Sequence, residues 1–245
     1  MSDAPVSVLS SMATRGLLGA LAEACAWPVV VESSGGVEVA RRVRAGEAVD
    51  VVVLAATTMR QLAAEGIVDP GSLADLAVSS MVVAVREGTP FPDLGTEAAV
   101  RAAVLAAPRT GYSTGPSGQH LLHLIERWGI GSQLGGRLVQ APPGVPVGRL
   151  LTEGKVDLAM QQRSELMHLA GVAIVGPLPP PVAADTVFTA GIARAARQVE
   201  AARRVIAFMA SPATGEAKRR HGLRPADGRD EGAAAGRASP PRTGG

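Results

Sequence analysis

The chain has 245 residues, room for one large domain or two small ones, and 47% of them are hydrophobic, enough for a sizeable buried core. Aromatic residues make up only 2%, which argues against an aromatic-lined sugar cleft or a base-stacking platform, so a ligand here would be held by hydrogen bonds and charge. Net charge is +2, and the residues from Ser211 onward alone carry seven Lys or Arg against four Asp or Glu, so the positive excess belongs to a tail and nucleic-acid binding is not expected.

In chain order, short apolar runs alternate with helical patterns. Val6–Ser10 reads as a strand and Arg15–Ala24 as a helix. Pro28–Glu32 is a strand and Val37–Arg44 a helix with a basic outer face. Val49–Leu54, VDVVVL, is a near-continuous apolar strand of the kind found in a parallel sheet covered on both faces. Thr57–Glu65 follows as a helix with Thr57 as its expected cap. This β-α-β-α-β-α order implies a doubly wound, mainly parallel sheet. Ser79–Arg86 is then a single strand, and a second α/β unit follows: helix Glu97–Ala106, strand Arg109–Ser113, helix Ser117–Trp128, a strand at Arg137–Gln140, helix Val147–Glu153 and strand Val156–Gln161. A short helix at Ser164–Leu169, strand Val172–Val175, the turn PLPPP, strand Thr186–Ile192 and helix Arg197–Met209 complete the pattern.

These elements make an α/β fold of two lobes. Residues 1–80 with 190–222 form the first lobe and residues 81–189 the second. Ser79–Arg86 and Thr186–Ile192 cross between them as hinge strands. Residues 223–245 are Gly-, Ala-, Arg- and Pro-rich without period and are expected to be disordered. The single cysteine, Cys25, excludes an intrachain disulfide and is expected as a buried structural thiol. No segment is apolar for the length of a membrane span. The start MSDAP carries an acid and no basic leader region, so the expected location is cytoplasmic, or periplasmic if the true start lies upstream.

Ligands of open α/β sheets sit beyond the carboxyl ends of strands, against helix N-termini. Four such junctions here are rich in hydroxyls, amides and glycine, two in each lobe. They hold Ser10, Ser11, Thr14 and Arg15; Ser34, Gly35 and Gly36; Thr114, Ser117 and Gly118; and Gln161, Gln162 and Ser164. Each alone is an ordinary cap, but together they describe a cleft of neutral donors suited to an oxyanion or a carboxylate. Gly111–Gly115 also fits the G-x-S-x-G serine-hydrolase elbow. A triad needs a later acid and a free histidine. His120 and His123 lie on the helix just behind the serine, and no HGGG-type oxyanion motif precedes it, so a hydrolase is set aside. The i, i+3 spacing of His120 and His123 lacks a third metal ligand, and neither a metal nor another cofactor is expected.

The opening VSVLSSMATRGLLGALAEA, the stretch VEVARRVRAGEAVDVVVL, Gly115-Pro116-Ser117-Gly118 before a helix, and the closing SPATGEAKRRHGL resemble the molybdate-type class II periplasmic solute-binding proteins, the substrate-binding components of ABC transporters. The resemblance spans residues 5–222 as a diffuse pattern. It implies a two-lobed fold with a small anion in the cleft and, if the chain is exported, an ABC permease as partner. It also implies that the family's binding serines fall near Ser10–Ala13 and Ser34–Gly36, its amide donors near Ser117 and Gly118, and its tyrosine near Gln162. Ala13 stands where serine matches best and Gln162 stands for the tyrosine, so the ligand expected is an organic carboxylate rather than molybdate. The same fold serves enzymes resembling aconitate isomerase. On that alternative the chain is a cytoplasmic isomerase that shifts a double bond by proton transfer, with Glu165 as the candidate base.

Overall fold

The computed structural model describes residues 4–226. Strands β1 (Val6–Ser11), β2 (Val29–Ser34) and β3 (Val51–Ala55) alternate with helices α1 (Arg15–Ala24), α2 (Gly36–Arg44) and α3 (Ala56–Ala64). β1 lies between β2 and β3 and is parallel to both. All five residues of β3 are buried, because α1 and α9 (Val199–Ala210) cover one face of this sheet and α2 and α3 the other. This is why its sequence shows no polar alternation.

The second lobe repeats the plan. β5 (Thr110–Tyr112) lies between β6 (Leu138–Gln140) and β7 (Leu158–Gln162) and is parallel to both. α4 (Glu97–Ala106) and α5 (Pro116–Arg127) pack on one face, while α7 (Val147–Thr152) and α8 (Arg163–Leu166) pack on the other. α6 (Gly131–Leu134) links α5 to β6.

Two long antiparallel strands join the lobes, as expected of the hinge. β4 (Ala74–Arg86) pairs β9 (Asp185–Ile192) along Ala74–Ser80, then changes partners. From Met81 it pairs β7, and from Val82 to Arg86 it pairs β8 (Val172–Pro177). β9 in turn pairs β3. The sheet therefore runs β2-β1-β3-β9-β4-β7-β5-β6. β4 starts five residues before the expected Ser79. The added stretch holds Asp75, whose carboxylate accepts a 2.5 Å hydrogen bond from Thr189 Oγ1 on the neighbouring strand.

Three expectations need correcting. Thr57 is not the cap of α3: the helix starts at Ala56, and the cap position is Ala55, which has no side-chain acceptor. Cys25 is only half-buried, because it lies just past the end of α1, at the edge of the core. The expected tail does not begin at residue 223. After α10 (Gly215–Arg220), Leu223 is buried, and β10 (Arg224–Pro225) pairs antiparallel with β4. Gly222 has φ +74°, and a Cβ there would overlap Met167 Sδ, so glycine lets this segment press against the end of α8. The remaining tail expectation falls on residues 227–245, outside the described residues.

Candidate anion-binding cavity

The carboxyl ends of β1, β2, β3, β5, β6 and β7 open onto one cavity of about 310 Å³ between the lobes. At one rim the lobes touch: a Cβ on Gly35 would come within 3.3 Å of Gly144 N, so the loop after β2 meets the loop after β6.

Three helices of nine residues or more begin at the cavity wall without a side-chain cap, as does the single turn α8 behind Gln162. α2 starts behind Gly35, α3 behind Ala55 and α5 behind Gly115, and none of these residues supplies a capping acceptor. Uncapped starts also occur outside the cavity wall, at α1, α9 and α10, whereas α4 is capped by Thr96, whose hydroxyl accepts from Ala99 N. The first amides of a helix have no intrahelical partner and carry the positive end of its dipole. Pro116 at the first position of α5 removes one donor that would be orphaned anyway. Gly118 has a different role, because a Cβ there would overlap the Ser113 carbonyl oxygen. Glycine therefore lets the first turn of α5 pack directly on the loop after β5.

Two buried side-chain oxygens on the cavity wall have no hydrogen-bond partner among the described residues, Ser11 Oγ and Gln162 Oε1. Ser11 is 8% exposed and Gln162 2%. Gln162 is held from its other end, where Nε2 donates to Thr186 Oγ1 at 2.7 Å. Leaving such groups unmet costs about 1–3 kcal/mol each, a cost a polar ligand relieves.

Glu165 also lines the cavity and is only partly exposed. Burial pushes its carboxyl up to about 7, while a hydrogen bond with the Gln161 side chain pulls the other way. Gln161 is fixed in turn, since its Oε1 accepts from Val147 N at 2.7 Å. Arg44 is the other ionisable residue among those lining the cavity, and it is committed to Glu65 through two contacts of 2.7 and 2.8 Å.

Of the residues expected to bind ligand, Ser11, Gly35, Gly36, Thr114, Ser117, Gln161 and Gln162 line the cavity, and the other six lie beside it. Ser10 Oγ is fully buried against Ser33 Oγ at 2.8 Å. Thr14 Oγ1 donates to Ser11 O at 3.1 Å. Arg15 is exposed on α1, and Ser34 is paired in register with Ser11 at the end of β2. Gly118 faces Ser113, and Ser164 Oγ meets Ser79 Oγ at 3.2 Å beside the hinge. Successive strand residues point to opposite faces, so only one serine of the Ser10-Ser11 doublet can face the ligand.

Thr57, Thr58 and Gln61 of α3, and Pro142, Gly144 and Val145 after β6, also line the wall and were not anticipated. Their signal was weak: an apolar strand running into Ala-Ala-Thr-Thr looks like a capped helix and nothing more. Among the described residues the elbow serine has no base. Ser113 Oγ contacts Ser117 Oγ at 3.1 Å and accepts from Gly115 N at 3.2 Å. His120 Nε2 contacts Val182 O at 2.9 Å, and His123 is exposed. Among the described residues no cluster of three or more His, Cys, Asp or Glu is placed to hold a metal ion, and no helix is long and apolar enough to cross a membrane.

The family described as bacterial extracellular solute-binding proteins matches residues 9–224. An aconitate isomerase from Pseudomonas sp is 27% identical over 237 residues, covering 90% of this chain and 89% of that one. The periplasmic molybdate-binding protein of Azotobacter vinelandii superposes with a TM-score of 0.73 at 19% identity, over 89% of this chain and 98% of that one. The sulfate-binding protein SubI from Mycobacterium tuberculosis H37Rv gives 0.71 at 15% identity, over 91% and 88%. The fold is thus the two-lobed class II periplasmic-binding-protein fold expected from the sequence.

Proposed function

This chain belongs to the family of bacterial extracellular solute-binding proteins, and from that premise we propose that it holds a small anion in the interlobe cavity, an organic carboxylate rather than molybdate. The observation that carries the reading is the convergence of three uncapped helix N-termini, from both lobes, on one cavity. Molybdate- and sulfate-binding neighbours support an anion. Ser11 Oγ–H is a free donor for a carboxylate oxygen, whereas Gln162 Oε1 asks the ligand for a donor, which a hydroxyl or carboxylic acid supplies and a bare oxyanion does not. If the chain is exported, the partner of the loaded form is an ABC permease.

A thermal-shift screen with molybdate, tungstate, sulfate, succinate, citrate, cis-aconitate and trans-aconitate tests this. A ligand at 100 times its dissociation constant adds about 2.7 kcal/mol of stability. A carboxylate is expected to raise the melting temperature. Stabilisation by molybdate or tungstate alone would overturn the ligand class.

A second reading is favoured by the aconitate isomerase relative and by a carboxyl held at about 7. On it the Glu165 carboxylate removes a proton from the carbon beside a substrate carboxylate. The electron pair spreads across the adjoining double bond, and Glu165 returns the proton at the far end, moving the double bond without net oxidation. Proton NMR of cis-aconitate in deuterated buffer decides: exchange that is lost in Glu165→Gln supports the isomerase, and no exchange in the wild type removes it.

A further inference from the structure

Glu165 places an acid inside a cavity shaped for an anion. An ionised carboxylate there would face an incoming carboxylate without a counter-charge, because Arg44, the one cation among the described residues lining the cavity, is held by Glu65. Two like charges close together in a poorly solvated site disfavour each other's ionised form, and a proton taken up by one of them relieves the repulsion. The geometry suits that remedy. Val147 N fixes the Gln161 amide, and both Gln161 and Glu165 line the cavity wall.

Among the described residues no charged side chain acts on the Glu165 carboxyl, and the buried Lys218 of α10 has a partner of its own. Beside the cavity, Arg15 at the start of α1 and Arg163 on α8 itself are exposed. Arg149 of α7 is exposed and pairs with Glu153. His168, just past α8, packs edge-on against His221 with ring centroids 5.7 Å apart. β4 carries Asp75 and Arg86 towards its two ends, and β7 carries no charged residue.

We propose that anion capture in this cavity is proton-coupled: the site takes a carboxylate with Glu165 in its protonated form, donating a hydrogen bond to the ligand. The inference rests on the reading of the cavity as a carboxylate site. One proton moves from solvent to Glu165 Oε, and no bond of the ligand breaks. A carboxyl that titrates at about 7 is half ionised at neutral pH, so the coupling falls where solution conditions can switch it. Below that range the site is ready for an anion. Above it, each bound ligand draws in a proton and affinity falls.

Calorimetric titration of cis-aconitate at pH 7.0 and 9.0, repeated in buffers of different ionisation enthalpy, tests the proposal. The wild type is expected to bind about fiftyfold more weakly at pH 9.0 and to take up close to one proton per ligand there, as a group titrating near 7 requires. Glu165→Gln, which is neutral at both pH values, is expected to flatten the profile and abolish the uptake. The proton count in the wild type stands even if that variant unfolds. Equal affinity at both pH values without proton uptake overturns the proposal while leaving the carboxylate site in place. If cis-aconitate binds at neither pH but molybdate does, the carboxylate reading fails and the proposal with it.

Discussion

Ser10 and Ser11 are adjacent, both buried, and of opposite use. Ser10 Oγ is spent on Ser33 at the β1–β2 seam, whereas Ser11 Oγ is unmet on the cavity wall. Ser10→Ala should therefore lose about 1 kcal/mol of stability in urea unfolding and barely change ligand affinity. Ser11→Ala should leave stability within about 0.5 kcal/mol and weaken ligand binding about tenfold by calorimetry. The opposite assignment would show that the pleat is misread. Gly118→Ala should cost of order 3 kcal/mol, because its Cβ meets backbone oxygen rather than a side chain that can swing away. The doublet was legible as a polar junction in the sequence; which serine faces the ligand was not, because that depends on where the pleat ends. Glu165 was legible as a candidate only through its place after Gln161-Gln162. Its enclosure comes from residues distant in sequence.

Strands and their seams carry the next level. The alternation of elements, the crossing of β4 and β9 and the parallel core of each lobe could be read from hydrophobic runs, since buried strands and amphipathic helices leave distinct periods. What could not be read was how the start of α9 is anchored to β1. Asp50 lies within the apolar run before β3 and is 4% exposed. It accepts Ser7 N and Ser7 Oγ at 2.9 and 2.8 Å, and also Arg197 N and Gln198 N at 2.9 and 3.1 Å. One carboxylate thus ties β1 to the start of α9, where the chain returns from the second lobe. A lone acid inside a buried run was the signal, since it persists there only when fully bonded. Burial alone would raise its pKa, but the hydrogen bonds from Ser7, Arg197 and Gln198 outweigh burial and hold the carboxyl below its ordinary range. Its contribution is therefore present above about pH 4 and lost as pH falls through the lowered value. Asp50→Asn should cost about 2–3 kcal/mol at pH 7, and the gap from wild type should narrow steadily in acid. A gap that does not change with pH would mean the charge is not what stabilises the seam.

At the scale of the whole molecule, function depends on two lobes sharing one cavity. The lobes join through β4 and β9 and meet again where Gly35 approaches Gly144, so a ligand on the three helix starts bridges both. The most direct test is backbone hydrogen exchange by mass spectrometry with and without saturating cis-aconitate. Slower exchange is predicted in peptides covering the starts of α2, α3 and α5, in both lobes together, because residues there line the cavity and the first amides of a helix lack an intrahelical partner. Protection confined to one lobe, or lying away from these three helix starts, would contradict the account.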